Sequence, residues 1–195
     1  GDGGAAPGSP SIGGAALVAP GVSLERFEQP GRFTGSIWVS GDEYSIAADG
    51  ARGKSWGVCE WDAPRLWRSF SAQFGDDRSA AALWMRVGER DLVWGYVARD
   101  GGVLPVTALR LSTETEPGSY LQKSLRLTLD DAAGGRHELA GEVLQVVPLP
   151  SSRNGRETMV CDGFARFSYE GRMGYGIAEY LHQLDARGNP VVPVE

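Results

Sequence analysis

The chain has 195 residues, and 42% of them are apolar, so one sizeable all-β domain with a buried core can form. No stretch reaches the roughly eighteen continuous apolar residues a membrane-spanning helix requires. The formal charge of −6 comes from scattered acids, and no basic stripe is present to neutralise phosphates, which argues against a nucleic-acid partner.

Residues 1–22 are dominated by Gly, Ala, Pro and Ser. They bury too little to offset their ordering entropy and read as a flexible leader. A start at Gly1 in place of Met marks the chain as processed or as a piece of a longer one, and no charged segment followed by an apolar one suggests a retained signal peptide. The folded domain is expected over residues 23–185, with an extended tail over 186–195. Within the domain, strands are predicted over Arg32 to Val39, Glu43 to Asp49, Leu66 to Phe74, Ala80 to Val87 and Leu92 to Arg99. Further strands follow over Val103 to Ser112, Ser119 to Leu129, Arg136 to Val147, Glu157 to Glu170 and Gly174 to Leu184. Turn signals separate them: Ser40-Gly41-Asp42, Gly75-Asp76-Asp77, Gly88-Glu89-Arg90, Asp100-Gly101-Gly102 and Gly134-Gly135. Short strands at regular spacing, with few helical patterns, predict an antiparallel meander or closed barrel.

Side-chain alternation supports strands. Leu121, Leu125, Leu127 and Leu129 fall on one face. Met159, Cys161, Gly163, Ala165 and Phe167 fall on another, opposite Asp162, Phe164 and Arg166. A face mixing charged and aromatic groups fits either a barrel lumen or an exterior, and periodicity does not choose between them.

Cys59 and Cys161 form no CxxC pair and read as small buried hydrophobes. His137 and His182 lack any zinc-ligand spacing, so no metal is expected. No GxSxG elbow, phosphate loop or dinucleotide fingerprint occurs, and no cofactor is expected.

Two segments concentrate groups able to do chemistry. Gly50 to Trp67 carries Arg52, Trp56, Glu60, Trp61 and Trp67. Its indoles suit either a pocket wall or a plug at one barrel end, and Arg52 either meets a ligand or stacks on an indole. Phe164 to Leu184 carries Gly171, Gly174 and Gly176, which mark a bulge or close backbone approach. Glu179 follows them, between Tyr175 and Tyr180. A carboxylate on a buried strand must be paired, protonated or exposed. It reads as an ion-pair partner of Arg52 or Arg172, or as a catalytic acid. Tyr96, on the strand Leu92 to Arg99, joins Arg52, Trp56, Trp61 and Tyr175 as a candidate ligand contact.

Three motifs carry a resemblance. They are Phe27-Glu28-Gln29-Pro30-Gly31-Arg32-Phe33-Thr34-Gly35, then Ala51-Arg52-Gly53-Lys54-Ser55-Trp56-Gly57, and Gly174-Tyr175-Gly176-Ile177-Ala178-Glu179-Tyr180. Together they resemble the second lipocalin-like domain of the hydroxyneurosporene synthase-like superfamily, which includes carotenoid 1,2-hydratase and the AttH-like proteins. The chain departs from that pattern at Gly53, where an acid is usual, at Cys59, where an arginine is usual, and at Glu60, where aspartate is usual. The resemblance implies a calycin-type barrel around a cavity for a terpenoid or polyketide, and a bacterial secondary-metabolic enzyme that cyclizes, isomerizes or hydrates it. Hydration needs an acid to protonate an alkene and aromatic faces to stabilise the cation, which points to Glu60 with Trp56 and Trp61, and to Glu179 as a second acid. Alternatives are a non-catalytic binder of a hydrophobic ligand, or a half-domain completed by a homodimer or by a first-half domain on another chain. A cytoplasmic location is expected.

Overall fold

The computed structural model of the chain describes residues 12–195. All regular elements among them are strands: β1 Ile12–Ala19, β2 Val22–Val39, β3 Asp42–Cys59, β4 Pro64–Gln73, β5 Arg78–Val87, β6 Arg90–Arg99, β7 Gly102–Thr115, β8 Gln122–Asp131, β9 Arg136–Arg153, β10 Arg156–Tyr169 and β11 Arg172–Leu184. The last eight pair consecutively and antiparallel. β11 then closes on β4, from Tyr175 opposite Gln73 to His182 opposite Leu66, to complete an eight-stranded barrel. This is the lipocalin-like, all-β architecture expected from the strand spacing. Closure leaves no open sheet edge, which removes the aggregation liability of an up-and-down meander.

The predicted leader is corrected over its second part. Its first eleven residues lie outside the described ones, but Ile12–Ala19 forms β1 and pairs with β2, and Leu17 and Ala19 are buried. The predicted strands over 32–39 and 43–49 are the distal halves of two eighteen-residue strands, β2 and β3, and these stand outside the barrel in a separate three-stranded sheet. Ser40 and Gly41, both at positive φ, form the two-residue turn between them. The barrel therefore begins at Pro64.

The predicted strand ending at Val147 continues to Arg153 through Pro148 and Pro150. Beyond Glu142 this strand pairs with β10 alone, so prolines without an N–H cost no ladder bond on its open side.

Parity is decided by what closes around it. Cys161, Ala165 and Phe167 are fully buried and point inward, where Phe70, Val97, Leu125, Leu127, Leu129, Leu139 and Tyr180 meet them. The alternate face of β10, with Asp162, Phe164 and Arg166, is the exterior. The lumen is filled by these side chains, and the gap between Phe70, Ala80, Leu127 and Phe167 has no room for a water molecule. At this level of the barrel the described residues leave no room for a ligand. A second apolar cluster lies outside the barrel. Leu17, Val22 and Leu24 of the small sheet cover Trp67, Leu83, Met85, Trp94 and Tyr96. This contact seats the base of the β2–β3 hairpin on the outer face of β4–β6.

Candidate functional site

The junction between hairpin and barrel buries a group of polar side chains. Strand alternation sets their direction. On β2, Val22, Leu24, Arg26 and Glu28 share the face turned to the barrel, and the apolar pair at the base carries the charged pair into the covered region. Glu28 is only 3% exposed. Its Oε2 accepts a hydrogen bond from Arg26 Nη2 at 3.1 Å, and the neighbouring Tyr96 hydroxyl also favours its ionised form. Glu28 Oε1 and Arg26 Nε have no hydrogen-bond partner among the described residues. Burial raises the Glu28 pKa, and the Arg26 charge offsets part of that rise. Arg26 also lies 5.4 Å above the Trp94 ring, and its Nη1 donates to Ser55 Oγ at 3.3 Å.

Register places a second acid pair beside this group. Asp162 of β10 faces Glu179 of β11, which faces Ser69 of β4, then Leu83 of β5 and Trp94 of β6. The adjoining row on the same outer face runs Phe164, Ile177, Ser71, Ala81 and Tyr96. The Glu179 carboxyl is pushed up to about 7, first by burial and then by the charge of Asp162 and a hydrogen bond shared with it. A carboxylate beside a buried carboxyl makes its ionisation costly, which is the direction of the Glu179 shift. Asp162 Oδ1 is buried with no hydrogen-bond partner among the described residues.

An aromatic surface adjoins the acid pair. The rings of Phe164 and Tyr175 stack, with centroids 5.9 Å apart and 7° between planes, and Phe164, Tyr175, Ile177 and Val147 remain substantially exposed. The arrangement sets a carboxyl of raised pKa at the edge of an apolar platform. Gln73 on the same outer face donates to the Gly50 carbonyl, which fixes the hairpin over β4.

The predicted site residues fall into separate surroundings. Tyr96 and Glu179 lie on the same outer face of the barrel, on β6 and β11, with β4 and β5 between them. Tyr175 lies at the rim of the hairpin junction, stacked and exposed. Arg52 and Trp56 occupy the outward face of the hairpin, where Arg52 lies 5.7 Å from the Phe27 ring and Trp56 packs beside Phe27 and Lys54. Arg52 is thus not the partner of Glu179, and Arg172 pairs with Asp77. Trp61 stacks on Trp67 at 6.2 Å. Glu60 is exposed at the end of β3, its amide bound to the Gly21 carbonyl, and lines an open groove of about 730 Å³ with Asp62, Arg65 and Arg156. Sequence reasoning missed Arg26, Glu28 and Asp162 as site members. Glu28 lies inside the opening motif and Asp162 on the noted charged face of β10, but neither signal says which segments meet.

Both cysteines are free thiols, Cys161 buried and Cys59 partly so. Among the described residues no cluster of His, Cys, Asp and Glu has the geometry to hold a metal ion. No helix among them is long and apolar enough to cross a membrane.

Comparison with known proteins bears on this geometry. A family model described as a domain of unknown function, DUF7064, matches residues 9–184. No curated protein matches the sequence. Among solved structures, the chain is similar to an AttH candidate from Nitrosomonas europaea, with a TM-score of 0.64, 15% identity, and coverage of 91% of this chain and 59% of that one. It is also similar to kievitone hydratase from Nectria haematococca, with a TM-score of 0.51, 11% identity, and coverage of 90% and 69%. The chain therefore shares its fold with these two solved structures. The chain spans about three fifths of the length of the first of these relatives.

Proposed function

This chain belongs to the DUF7064 family, and on that premise we propose that it contributes an acid site for an apolar, alkene-bearing small molecule such as a terpenoid or polyketide. The observation that carries the reading is the Asp162–Glu179 pair. Burial and the neighbouring Asp162 push the Glu179 carboxyl up to about 7 beside the Phe164–Tyr175 platform. The substrate lies on the barrel's outer face, at the rim of the hairpin junction. Glu179 gives its proton to one alkene carbon, and positive charge develops on the other, where aromatic faces stabilise it. Attack by water, with loss of its proton to the carboxylate pair, completes a hydration. Loss of a neighbouring carbon-bound proton completes an isomerization, and attack by a second double bond followed by proton loss completes a cyclization. The fold shared with a protein named as a hydratase supports this choice of chemistry.

The test is incubation of the protein in D2O with linear isoprenoid alkenes and prenylated phenols, read by mass spectrometry. Deuterium incorporation at carbon, lost in Glu179→Gln, supports the reading. Incorporation at an equal rate in Glu179→Gln overturns the role of that acid.

A second reading has its own observation. Beyond Pro30 the hairpin leaves Phe33, Ile37, Val39 and Tyr44 exposed on one face, and Trp38 is 68% exposed on the other. A patch of this kind marks a surface that another polypeptide covers, and on it we propose a half-domain whose site a further domain or a second copy completes. Light scattering of the purified chain tests the second copy: a dimer that Trp38→Lys dissociates supports it, and a monomer rejects it.

A further inference from the structure

A separate polar group sits at the end of the barrel where β4 begins and β11 finishes. Arg68 points into the lumen from β4 and is fully buried. Its Nη1 donates to the Trp67 and Leu181 carbonyls at 3.1 and 3.0 Å. Its remaining fork is met by the Glu195 side chain, with Nε to Oε2 at 3.1 Å and Nη2 to Oε1 at 3.3 Å. A planar guanidinium offering two parallel donors matches the two oxygens of a carboxylate.

The surroundings are amphipathic. The Arg68 guanidinium lies 4.4 Å over the Tyr180 ring, and the Tyr180 hydroxyl shares a hydrogen bond of 2.7 Å with Thr113. His182 is 1% exposed, 5.1 Å from the Tyr120 ring centroid, and neither of its ring nitrogens has a hydrogen-bond partner among the described residues. Such a buried imidazole keeps one N–H donor and one acceptor in reserve. Below the polar group lies the apolar core of the barrel.

Glu195 reaches Arg68 on a segment without strand structure. After Leu184 the chain turns at Asp185 to Asn189, touches Gln183 through the Val191 amide, and ends with the Glu195 carbonyl accepting from the Thr113 amide. Val194 packs against the barrel core beside it. Lifting residues 191–195 would therefore uncover a buried cation and an apolar surface at once.

We infer that Arg68 and His182 form a binding site for an apolar carboxylic acid, and that the chain's own Glu195 carboxylate and Val194 side chain occupy it. The ligand's carboxylate takes the Arg68 fork, its second polar contact goes to His182, and its hydrocarbon replaces Val194. The site is distinct from the Asp162–Glu179 pair, which lies on the outer face of the barrel.

The experiment is calorimetric titration of the full chain and of Glu195→Gln with decanoate and with decan-1-ol. Glu195→Gln is expected to bind decanoate at least tenfold more tightly than the native chain, with no such gain for the alcohol. Equal decanoate affinity in the two proteins, or an equal gain for the alcohol, overturns the inference. Hydrogen exchange in the native chain gives an independent reading should Glu195→Gln fail to fold. Saturating decanoate is expected to remove protection from the Thr113 amide, and unchanged protection overturns the proposal.

Discussion

Removing the ionisable proton of Glu179 should change how stability depends on pH, and by an amount the structure sets. The folded protein raises this carboxyl from 4.5 to about 7. Above pH 4.5 the unfolded chain therefore gives up this proton while the folded chain keeps it. Stability falls as pH rises from there through 7, because the folded state binds more protons. At 1.36 kcal/mol per tenfold change in proton affinity, the full effect is about 3 kcal/mol. Partial exposure of Glu179 and its coupling to Asp162 reduce this to about 2 kcal/mol between pH 5 and pH 8. Glu179→Gln keeps the shape and an N–H donor toward Asp162 but cannot ionise. Urea denaturation of both proteins at pH 5, 6, 7 and 8 measures the effect. The variant is expected to gain about 2 kcal/mol relative to the native chain across that range, and titrating groups remote from Glu179 cancel in the difference. A difference that stays constant with pH would refute the assignment of a raised carboxyl, and with it the proton donor in the proposed function.

His182 should show the opposite slope. Burial and the Arg68 charge lower its pKa from 6.5 to about 3, so its contribution is present above pH 6.5 and lost as pH falls toward 3. Relative to His182→Leu, the native chain should lose about 3 kcal/mol between pH 7 and pH 4 in urea titrations, and parallel curves would contradict this. Phe167→Ala empties a fully buried position in the lumen and should cost about 3 to 5 kcal/mol by the same method. A thiol reagent should label Cys59 in the native protein and Cys161 only after denaturation, since burial pushes the Cys161 thiol up to about 11 and seals it from solvent. Rapid labelling of both would show that the barrel opens.

Much of this architecture is local. Alternation at Leu125, Leu127 and Leu129, and at Cys161, Ala165 and Phe167, specifies strands whose two faces differ in polarity, and the Gly-bearing turns specify where each strand ends. These signals sufficed for an antiparallel barrel, because a period of two needs only neighbouring residues. Whether Asp162 faced lumen or solvent was not local. It followed from closure of β11 on β4, a pairing of segments about one hundred residues apart, which leaves one face no place but the inside. The same holds for the hairpin. The sequence determined two strands and a turn around Ser40-Gly41, yet only the burial of Leu17, Val22 and Leu24 on the outer face of β4–β6 set them outside the barrel. The candidate site depends on that placement. Arg26 and Glu28 come from the hairpin, Tyr96 from β6, and Asp162 and Glu179 from β10 and β11. Each is an ordinary polar residue in its own segment. A raised carboxyl pKa is a property of the water that other segments exclude, and no local pattern encodes that exclusion.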